Sequence, residues 1–195
     1  MSAVPKTLLT PQEYLARERK AAYKSEYYRG EMFAMAGASE EHCLAKDNLA
    51  REVGMQLKGG PCKVVTSDLR VKVDATGLYT YPDVVIYCGK AEFEDDHFDI
   101  LLNPTALVEV LSDSTEKYDR GKKFHHYQRI ATLQEYILVA QDEPLVERFV
   151  RQPSGDWLVT KYAGFDATLE FTSVPVRVLL ADIYRGIEFP SSPPQ

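Results

Sequence analysis

Apolar residues recur along this chain with two spacings, one typical of helices and one typical of strands. In the segment 40–58 the apolar positions lie four residues apart, at Ala45, Leu49, Val53 and Leu57. Ser39 precedes this segment as a cap and Gly59 follows it, so the pattern predicts a long helix with one buried face. A shorter helix is predicted from Thr10 to about Ala22, because the cap hydroxyl is followed by proline and then by glutamate.

Strands are predicted where apolar residues alternate with polar ones or form short runs between turn residues. A hairpin is expected over residues 25–36, with Arg29 and Gly30 in its turn. Further strands are predicted over residues 62–73, 78–88, 107–111, 135–140, 145–151, 157–162, 168–171 and 174–180. The acidic connection 89–104 is expected to be a solvated loop, and the tail 190–195 is expected to be disordered.

A carboxylate interrupts the most apolar of these strands. Glu109 lies between Val108 and Val110, and burial of its charge without a partner would be costly. The strand leads into a segment that is predicted to be helical and that carries the basic residues Lys117, Arg120, Lys122, Lys123 and Arg129. The pattern therefore places a strand carboxylate next to ammonium groups, which is compatible with a structural salt bridge or with a catalytic site.

A second carboxylate lies in the neighbouring predicted strand, 78–88, where Pro82 and Asp83 interrupt its outset before the continuous run from Val84. Asp83 follows Pro82, and because proline belongs at the start or edge of a strand, Asp83 is expected at an end of the sheet. Two carboxylates in register there predict a Mg²⁺ site, since like charges a few ångströms apart require a cation. Mg²⁺ is typically held by one or two carboxylates together with waters and phosphate oxygens. A nearby lysine would complete a site for phosphodiester hydrolysis.

Composition and charge limit the class of protein. The chain has 195 residues, of which 45% are hydrophobic, and this is enough for one domain, expected to span residues 1–189. The formal net charge of −6 provides no general attraction for nucleic acid. Binding of phosphate would therefore depend on a local basic patch or on a bound metal.

The cysteines and the length of the apolar runs indicate the cellular compartment in which the protein is expected. Cys43, Cys62 and Cys88 are odd in number and lack C-x-x-C spacing, which argues against a disulfide framework and against a thiolate zinc site. No stretch approaches the roughly 18 apolar residues that a membrane span needs, and no signal peptide is recognised. These features favour a reduced, cytoplasmic location without membrane contact.

Three segments carry a resemblance to a known family: YPDVVIYCG at Tyr81–Gly89, LVEVLSDSTEKYDRGKKFHHY at Leu107–Tyr127, and LQEYILV at Leu133–Val139. In this order they resemble the Uma-two family of restriction endonucleases, a branch of the PD-(D/E)XK nuclease superfamily, over nearly the whole chain. The resemblance implies an α/β (α+β) fold, in which a restriction-endonuclease-like mixed central β-sheet is flanked by helices. Extra antiparallel strands are expected at the C-terminal side.

The resemblance also implies roles for the matching residues. Asp83 and Glu109 would be metal ligands, the backbone carbonyl of Val110 would be a further ligand, and Lys123 matches the lysine of the family's DRxxK helix. The implied cofactor is Mg²⁺, with Mn²⁺ as a substitute. The implied partner is DNA, with RNA left open, and cutting of both strands would favour a homodimer.

Two positions depart from the expected pattern. The superfamily places its lysine two residues after the glutamate, where this chain has Leu111, so the lysine must come from the helix. Because side chains at i and i+2 of a strand share a face, Leu111 is expected beside Glu109. The family usually has proline where this chain has Asp113, which adds a negative charge near the expected metal.

Four further residues are secondary candidates: Glu31, His42, Asp68 and Arg120. Glu31 and His42 match positions that the family tends to keep and could orient water or substrate, but a surface or capping role is the alternative for each. Asp68 is expected on a strand that borders the site. Arg120 lies within one turn of Lys123 and could contact phosphate.

The leading hypothesis is a Mg²⁺-dependent endonuclease that hydrolyses DNA phosphodiester bonds by a metal-activated water. The alternative is a catalytically silent nuclease-fold module that binds nucleic acid or protein. Asp83, Glu109 and Lys123 favour the enzyme, whereas the acidic net charge and Asp113 favour the silent module. A glycosidase with two carboxylates would leave the lysine unexplained.

Overall fold

The computed structural model describes residues 8–189, so the tail predicted to be disordered at 190–195 lies outside the described residues. The helices are α1 (Pro11–Glu18), α2 (Glu40–Leu57), α3 (Glu116–Tyr118), α4 (Phe124–Tyr127) and α5 (Leu180–Ile183), and a π-helical turn, Asp119–Lys123, joins α3 to α4. The strands are β1 (Ser25–Tyr28), β2 (Glu31–Ala34), β3 (Cys62–Thr66), β4 (Arg70–Val73), β5 (Leu78–Thr80), β6 (Val84–Cys88), β7 (Ile100–Leu101), β8 (Ala106–Val110), β9 (Glu135–Val139), β10 (Leu145–Arg151), β11 (Trp157–Ala163), β12 (Thr168–Glu170) and β13 (Arg177–Leu179).

Six strands form the central sheet in the order β11-β10-β9-β8-β6-β3. β8 and β9 run parallel, whereas the other neighbouring pairs of this sheet are antiparallel. Every residue of β8 and β9 is buried, because both faces of the sheet are covered there. α2, α5 and the β12–β13 pair pack on one face, and the second sheet and α4 pack on the other. This mixed sheet with antiparallel C-terminal strands confirms the predicted fold.

The second sheet has five strands in the order β2-β1-β5-β4-β7. The segment 62–73, predicted as one strand, and the segment 78–88, predicted as one strand with an interruption at Pro82 and Asp83, are each divided between the two sheets. The prediction of a single strand was therefore wrong for both segments. Ser67 has a positive φ of 39° at the first crossing, and Pro82, which lacks an N–H, lies at the second. The Ser67 N–H donates to the Asp83 carbonyl at 3.1 Å, so the two crossings lie side by side. Asp83 is therefore at an end of the central sheet, as predicted.

Helix α2 follows its sequence pattern closely. The predicted core stripe is buried at all four positions, Ala45, Leu49, Val53 and Leu57, and it packs on the central sheet. Ser39 caps the helix by accepting the His42 N–H at 3.2 Å. Among residues 8–189, no helix is both long enough and apolar enough to cross a membrane.

Helix α1 starts as predicted but ends early. Thr10 and Glu13 form the expected capping box. The helix ends at Glu18, four residues before the predicted end. The reason is that the Glu18 carboxylate turns into the core, where it accepts the Ser25 N–H at 2.8 Å and the Tyr81 hydroxyl at 2.9 Å.

The predicted hairpin forms strands β1 and β2. Its turn residues Arg29 and Gly30 have positive φ values of 49° and 89°, as a tight hairpin turn requires. A β-carbon at Gly30 would lie 2.6 Å from the β-carbon of Leu8, so the close approach of the preceding chain also requires glycine.

The acidic connection 89–104 contains strand β7 and is not a solvated loop, which corrects the sequence-based prediction. Two of its carboxylates face cations from α1 and β4. Arg19 Nη2 lies 2.6 Å from Asp95 Oδ2 and 2.9 Å from Asp99 Oδ1, and Arg70 also pairs with Asp99. We refer to Arg19, Arg70, Asp95 and Asp99 as the arginine–aspartate network. These ion pairs attach the connection 89–104 to Arg19 and to strand β4 of the second sheet.

Two of the three cysteines form a disulfide, contrary to the sequence-based prediction. Cys62 and Cys88 lie directly opposite each other on the antiparallel strands β3 and β6, with their Cα atoms 3.9 Å apart. Their pairing depends on strand register across 26 residues, which neither the number nor the local spacing of cysteines reports. Cys43 is a free, half-buried thiol.

Candidate active site

Asp83 and Glu109 meet at the end of the antiparallel pair β6–β8. Val84 pairs with Val108, so the next position of the same register puts Asp83 opposite Glu109. Asp83 Oδ2 accepts the Val110 N–H at 2.8 Å, and Glu109 Oε2 lies 3.4 Å from the Asp83 backbone nitrogen. The structure thus brings together the two carboxylates that the sequence analysis selected.

Lys123 reaches the same place from the helical segment after β8. Its Nζ lies 2.9 Å from Glu109 Oε1 and 3.4 Å from both Glu26 Oε1 and Asp119 Oδ1. Each of these four residues is less than a tenth exposed. We refer to Glu26, Glu109, Asp119 and Lys123 as the buried carboxylate cluster. One ammonium group thus faces three carboxylates in the interior.

The π-helical turn Asp119–Lys123 explains how a helix can supply this lysine. Leu111 is buried in the same apolar cluster as Leu107, and it therefore occupies the face beside Glu109. The lysine must then enter by another route. A π-helical turn widens the helix locally, and here both end residues of the turn are buried while Lys122 between them is exposed.

Hydroxyl groups complete the contacts of two of the carboxylates. The Tyr127 hydroxyl donates to Glu109 Oε1 at 2.7 Å. The Thr80 hydroxyl donates to Glu26 Oε1, and the Tyr118 hydroxyl donates to Glu26 Oε2 at 3.3 Å. Because Glu26 and Thr80 belong to the second sheet, the cluster joins that sheet to the central one.

Burial and unbalanced charge change the proton affinity of the cluster. The pKa of Glu109 is raised to about 8, first because burial penalises the charged form and then because Asp119 and Asp83 are negative, although Lys123 opposes the rise. Burial also raises the pKa of Asp119. Burial alone would lower the pKa of Lys123, but Glu109, Glu26 and Asp119 hold it well above its usual value. The lysine is therefore an ammonium ion, and the negative excess favours uptake of a proton or a cation.

The donor set at the sheet end fits a hard divalent cation with few protein ligands. Among residues 8–189, no three or more His, Cys, Asp or Glu side chains are grouped so that they could hold a metal ion. Mg²⁺ needs only one or two carboxylates besides water and phosphate oxygens, so Asp83 and Glu109 suffice by number and chemistry. The backbone of Val110 lies at the same place, because its N–H contacts Asp83.

His42 is the secondary candidate that the structure brings to the site. Its Nε2 lies 3.0 Å from Asp83 Oδ1, and it projects from the first turn of α2, which Ser39 caps. The Asp83 carboxylate is thus held on one oxygen by His42 and on the other by the Val110 N–H. Contacts on both oxygens restrict the orientation of the carboxylate.

The other secondary candidates lie outside the buried cluster. Asp68 lies in the turn between β3 and β4, with 88% of its side chain exposed and paired to Lys24, so its expected strand position was wrong. Arg120 pairs with Glu147 on β10 instead of facing Lys123. Glu31 begins β2 as predicted and is half-buried.

Sequence reasoning missed Glu26 and Asp119 as members of the cluster. Asp119 precedes Lys123 by four residues, a spacing that on a helix indicates a paired acid and base and could have identified it. Glu26 stands between Ser25 and Tyr27 in the first hairpin strand without any local signal of its role. Only the pairing of β1 with β5 brings it to the site.

A solved structure with the same architecture defines the class of fold. The crystal structure of a "putative nuclease belonging to DUF820" from Anabaena variabilis superposes with a TM-score of 0.74 at 18% sequence identity. The match covers 90% of this chain and 97% of that one. The fold is therefore the mixed α+β, restriction-endonuclease-like fold that the sequence segments implied.

The sequence matches the family model Uma2, described as "Putative restriction endonuclease", over residues 11–180. The uncharacterized protein slr1290 of Synechocystis sp. is 36% identical over 187 residues, which is 96% of this chain and 97% of that protein. The uncharacterized protein sll1609 of the same organism is 34% identical over 169 residues, 87% of this chain and 96% of that protein. The chain belongs to the Uma2 family, and the description of that family supports a nuclease.

Proposed function

We propose that this protein is a metal-dependent endonuclease that hydrolyses DNA phosphodiester bonds by a metal-activated water. The observation that carries the proposal is the meeting of Asp83, Glu109 and Lys123 at one end of the central sheet, with Lys123 Nζ 2.9 Å from Glu109 Oε1. A buried, negatively charged site beside an ammonium ion suits a divalent cation together with a phosphate.

Asp83, Glu109 and the backbone carbonyl of Val110 would hold the metal. Mg²⁺, or Mn²⁺ in its place, supplies Lewis-acid polarisation of the phosphate and a bound water of lowered pKa. His42 fixes one oxygen of Asp83, so the remaining freedom of that carboxylate is small. Orientation of this kind by a second contact typically contributes 10- to 100-fold to metal affinity or activity.

Lys123 would serve the phosphate and the attacking water. Its ammonium group is held by three carboxylates, so it is fixed in position and remains charged. A preorganised positive charge stabilises the negative charge that develops on the phosphate oxygens in the transition state. A lysine can do this from a helix as well as from a strand, because its ammonium acts as a point charge on a flexible stem.

The first experiment is incubation of the protein with supercoiled and linear DNA in Mg²⁺, in Mn²⁺ and in EDTA. We expect cleavage with either metal and none in EDTA. Asp83→Asn and Glu109→Gln should each reduce the cleavage rate by roughly 10²-fold or more and weaken Mg²⁺ binding in calorimetric titrations. Undiminished Mg²⁺ binding and cleavage by both variants would reject the metal site.

A second experiment tests Lys123, which lies on the helical segment although the superfamily places its lysine on the strand. Lys123→Ala should reduce cleavage by roughly 10²- to 10³-fold and leave Mg²⁺ affinity nearly unchanged, with the exposed neighbour Lys122→Ala as the matched control. Adding Leu111→Lys to Lys123→Ala should recover part of the rate, because residue 111 shares a face with Glu109. Circular dichroism must show that each variant is folded. Full activity of folded Lys123→Ala would reject this role.

The type of nucleic acid and the oligomeric state of the protein are part of the same proposal. DNA is the expected substrate, and parallel cleavage assays with RNA of the same sequence decide between DNA and RNA.

A homodimer is expected if both strands of a duplex are cut, since two sites related by twofold symmetry would be needed. Sedimentation of the protein with and without a DNA duplex measures this.

One set of contacts favours a second candidate function, a silent module that binds nucleic acid or protein without cutting. Lys123 is already paired with three carboxylates and is only 5% exposed, so a substrate phosphate would have to compete for it. The net charge of −6 also disfavours rapid association with nucleic acid. Binding without cleavage in all three metal conditions would favour this function over the nuclease.

A further inference from the structure

An open pocket of about 480 Å³ lies on the outer half of the central sheet, between helix α4 and the β10–β11 hairpin. Phe124, Phe149 and Trp157 form its aromatic wall. The ring centroids of Phe124 lie 4.7 Å from Phe149 and 5.3 Å from Trp157. All three aromatic residues are half-buried, so part of their ring surface remains accessible to solvent. The wall is therefore a preformed surface on which a flat ligand could stack.

Polar and charged groups surround this aromatic wall. His125, Gln128 and Arg129 line the pocket from the helix side, and Asp156 lines it from the turn of the hairpin. The guanidinium group of Arg151 lies 4.7 Å from the Trp157 ring and is held in place by the Gln128 and Ile130 carbonyls at 2.9 Å. Cations at the rim attract phosphate, and an amide side chain can pair with the edge of a base.

The pocket and the proposed active site lie on the same face of the central sheet. Cross-strand pairs on β10 and β11 place Phe149 opposite Val159 and Arg151 opposite Trp157, so these four side chains share a face. Phe149 and Trp157 pack against the apolar cluster around Leu107 of β8, which is the face of Glu109. β11 is three strands from β8, on the order of 14 Å across the sheet. The residue of β11 in register with Glu109 is Lys161, and Trp157 lies four residues before it, on the order of 13 Å along the strand. The combined separation of on the order of 20 Å excludes the scissile phosphate itself and suits a nucleotide further along the same nucleic-acid strand.

We propose that this pocket binds an unpaired nucleobase of a single-stranded nucleic acid whose backbone passes the proposed active site. The inference rests on the proposed function and adds the substrate class: single-stranded segments in preference to a closed duplex. Base stacking on aromatic side chains, with cations beside the backbone, is the combination that binds single strands with little sequence preference. A closed duplex offers no free base face for Phe124, Phe149 and Trp157.

The chain contains a single tryptophan, so its fluorescence reports on this pocket. We expect a single-stranded oligothymidylate, titrated into the full chain in EDTA, to quench Trp157 emission saturably. An abasic oligodeoxyribose phosphate of equal length and charge should bind at least about fivefold more weakly and cause little quenching. Equal quenching by both oligomers, or none by either, would overturn the inference.

Three variants separate stacking from general attraction, by anisotropy of a fluorescein-labelled oligothymidylate. Trp157→Ala should weaken binding roughly 5- to 100-fold, whereas Trp157→Phe should stay within about threefold of the wild type. Leu158→Ala is the matched control, because Leu158 is the next residue of β11, points to the opposite face and is 57% exposed. Equal affinities of Trp157→Ala and Leu158→Ala would overturn the inference, and Trp157→Phe keeps the test valid if the alanine variant unfolds.

Three further outcomes are decisive. If Trp157 emission changes with protein concentration in the absence of oligonucleotide, and sedimentation shows a dimer, the pocket is covered by a second copy and the inference is wrong. Base-dependent quenching without metal-dependent cleavage would support the pocket and reject the nuclease. Cleavage without quenching would support the nuclease and reject the pocket.

Discussion

Two charged networks that join the second sheet to neighbouring segments differ in their balance of charge. In the arginine–aspartate network two guanidinium groups face two carboxylates. In the buried carboxylate cluster a single ammonium group faces three carboxylates. The pKa values of carboxylates in the two networks are shifted in opposite directions. The hydrogen bond from Arg19 lowers the pKa of Asp99, whereas burial raises the pKa of Glu109 to about 8.

This difference in charge balance gives the two networks different physical consequences. A balanced network satisfies its charges within the protein and gains nothing from a further ion. A cluster with excess negative charge is costly without a proton or a cation, and its stability must respond to both. The following predictions use that response.

The largest expected effect is on stability when the only cation of the cluster is removed. In EDTA at pH 7, Lys123→Ala should lower the free energy of unfolding by about 3–5 kcal/mol, because it leaves buried carboxylates uncompensated. Lys122→Ala, one residue away and exposed, should change it by less than about 0.5 kcal/mol. Urea unfolding monitored by circular dichroism measures both. A loss below about 1 kcal/mol would show that the cluster does not depend on its ammonium group.

The next effect concerns the pH dependence of the cluster. Glu109 in the native protein keeps a proton over a pH range where the unfolded chain has released it. The stability of the wild type therefore falls as pH rises from about 4.3, the pKa of an unfolded glutamate, toward about 8, the pKa of Glu109 in the folded protein. Glu109→Gln removes this dependence. In EDTA, the stability of the variant relative to the wild type should therefore increase by up to about 1.4 kcal/mol for each pH unit between pH 5 and pH 7.

Unfolding curves at pH 5, 6 and 7 test this prediction, with Glu143→Gln, an exposed residue in the turn before β10, as the matched control. A difference between Glu109→Gln and wild type that does not change with pH would mean that Glu109 is ionised throughout. The contrast between the two networks would then disappear.

The stability contributed by the arginine–aspartate network should change with pH in the opposite direction. Asp99→Asn should cost about 1–2 kcal/mol at pH 7, because Arg70 is 4% exposed and loses its carboxylate partner, although partial exposure of Asp99 reduces the effect. The lowered pKa of Asp99 contributes stability that is present above about pH 3.9 and is lost as pH falls. The cost should therefore begin to decrease as pH falls below about 3.9 and disappear only below the lowered pKa of Asp99 in the folded protein. Thermal unfolding of Asp99→Asn and of the exposed Asp96→Asn across this range gives the comparison.

The smallest expected effect is at the exposed pair of Asp68 and Lys24. Asp68→Asn should change the free energy of unfolding by less than about 0.5 kcal/mol, since an ion pair in water contributes little. It should also leave the cleavage rate within about twofold of the wild type, because the Asp68 side chain is 88% exposed and is paired with Lys24. A large loss of cleavage would return Asp68 to the list of catalytic candidates.

Local patterns predicted most of the elements correctly, and their failures have a common cause. The α2 stripe, the β1–β2 turn and the capping box of α1 are set by residues within a few positions of one another. The strands predicted over 62–73 and 78–88 failed because an apolar strand looks the same whether it stays in one sheet or crosses to another. The ion pairs of 89–104 were missed because an acidic run does not indicate which cations will face it.

The sequence by itself determined that a carboxylate would stand in a buried strand, that Asp83 would begin the next strand at a sheet end, and that a basic helix would follow. Each of these follows from short-range periodicity and from the missing N–H of proline. Only the tertiary structure decided that Glu26 joins Glu109 around Lys123 and that Cys62 faces Cys88. These contacts depend on strand register and sheet order, which arise from packing between segments that are distant in the chain.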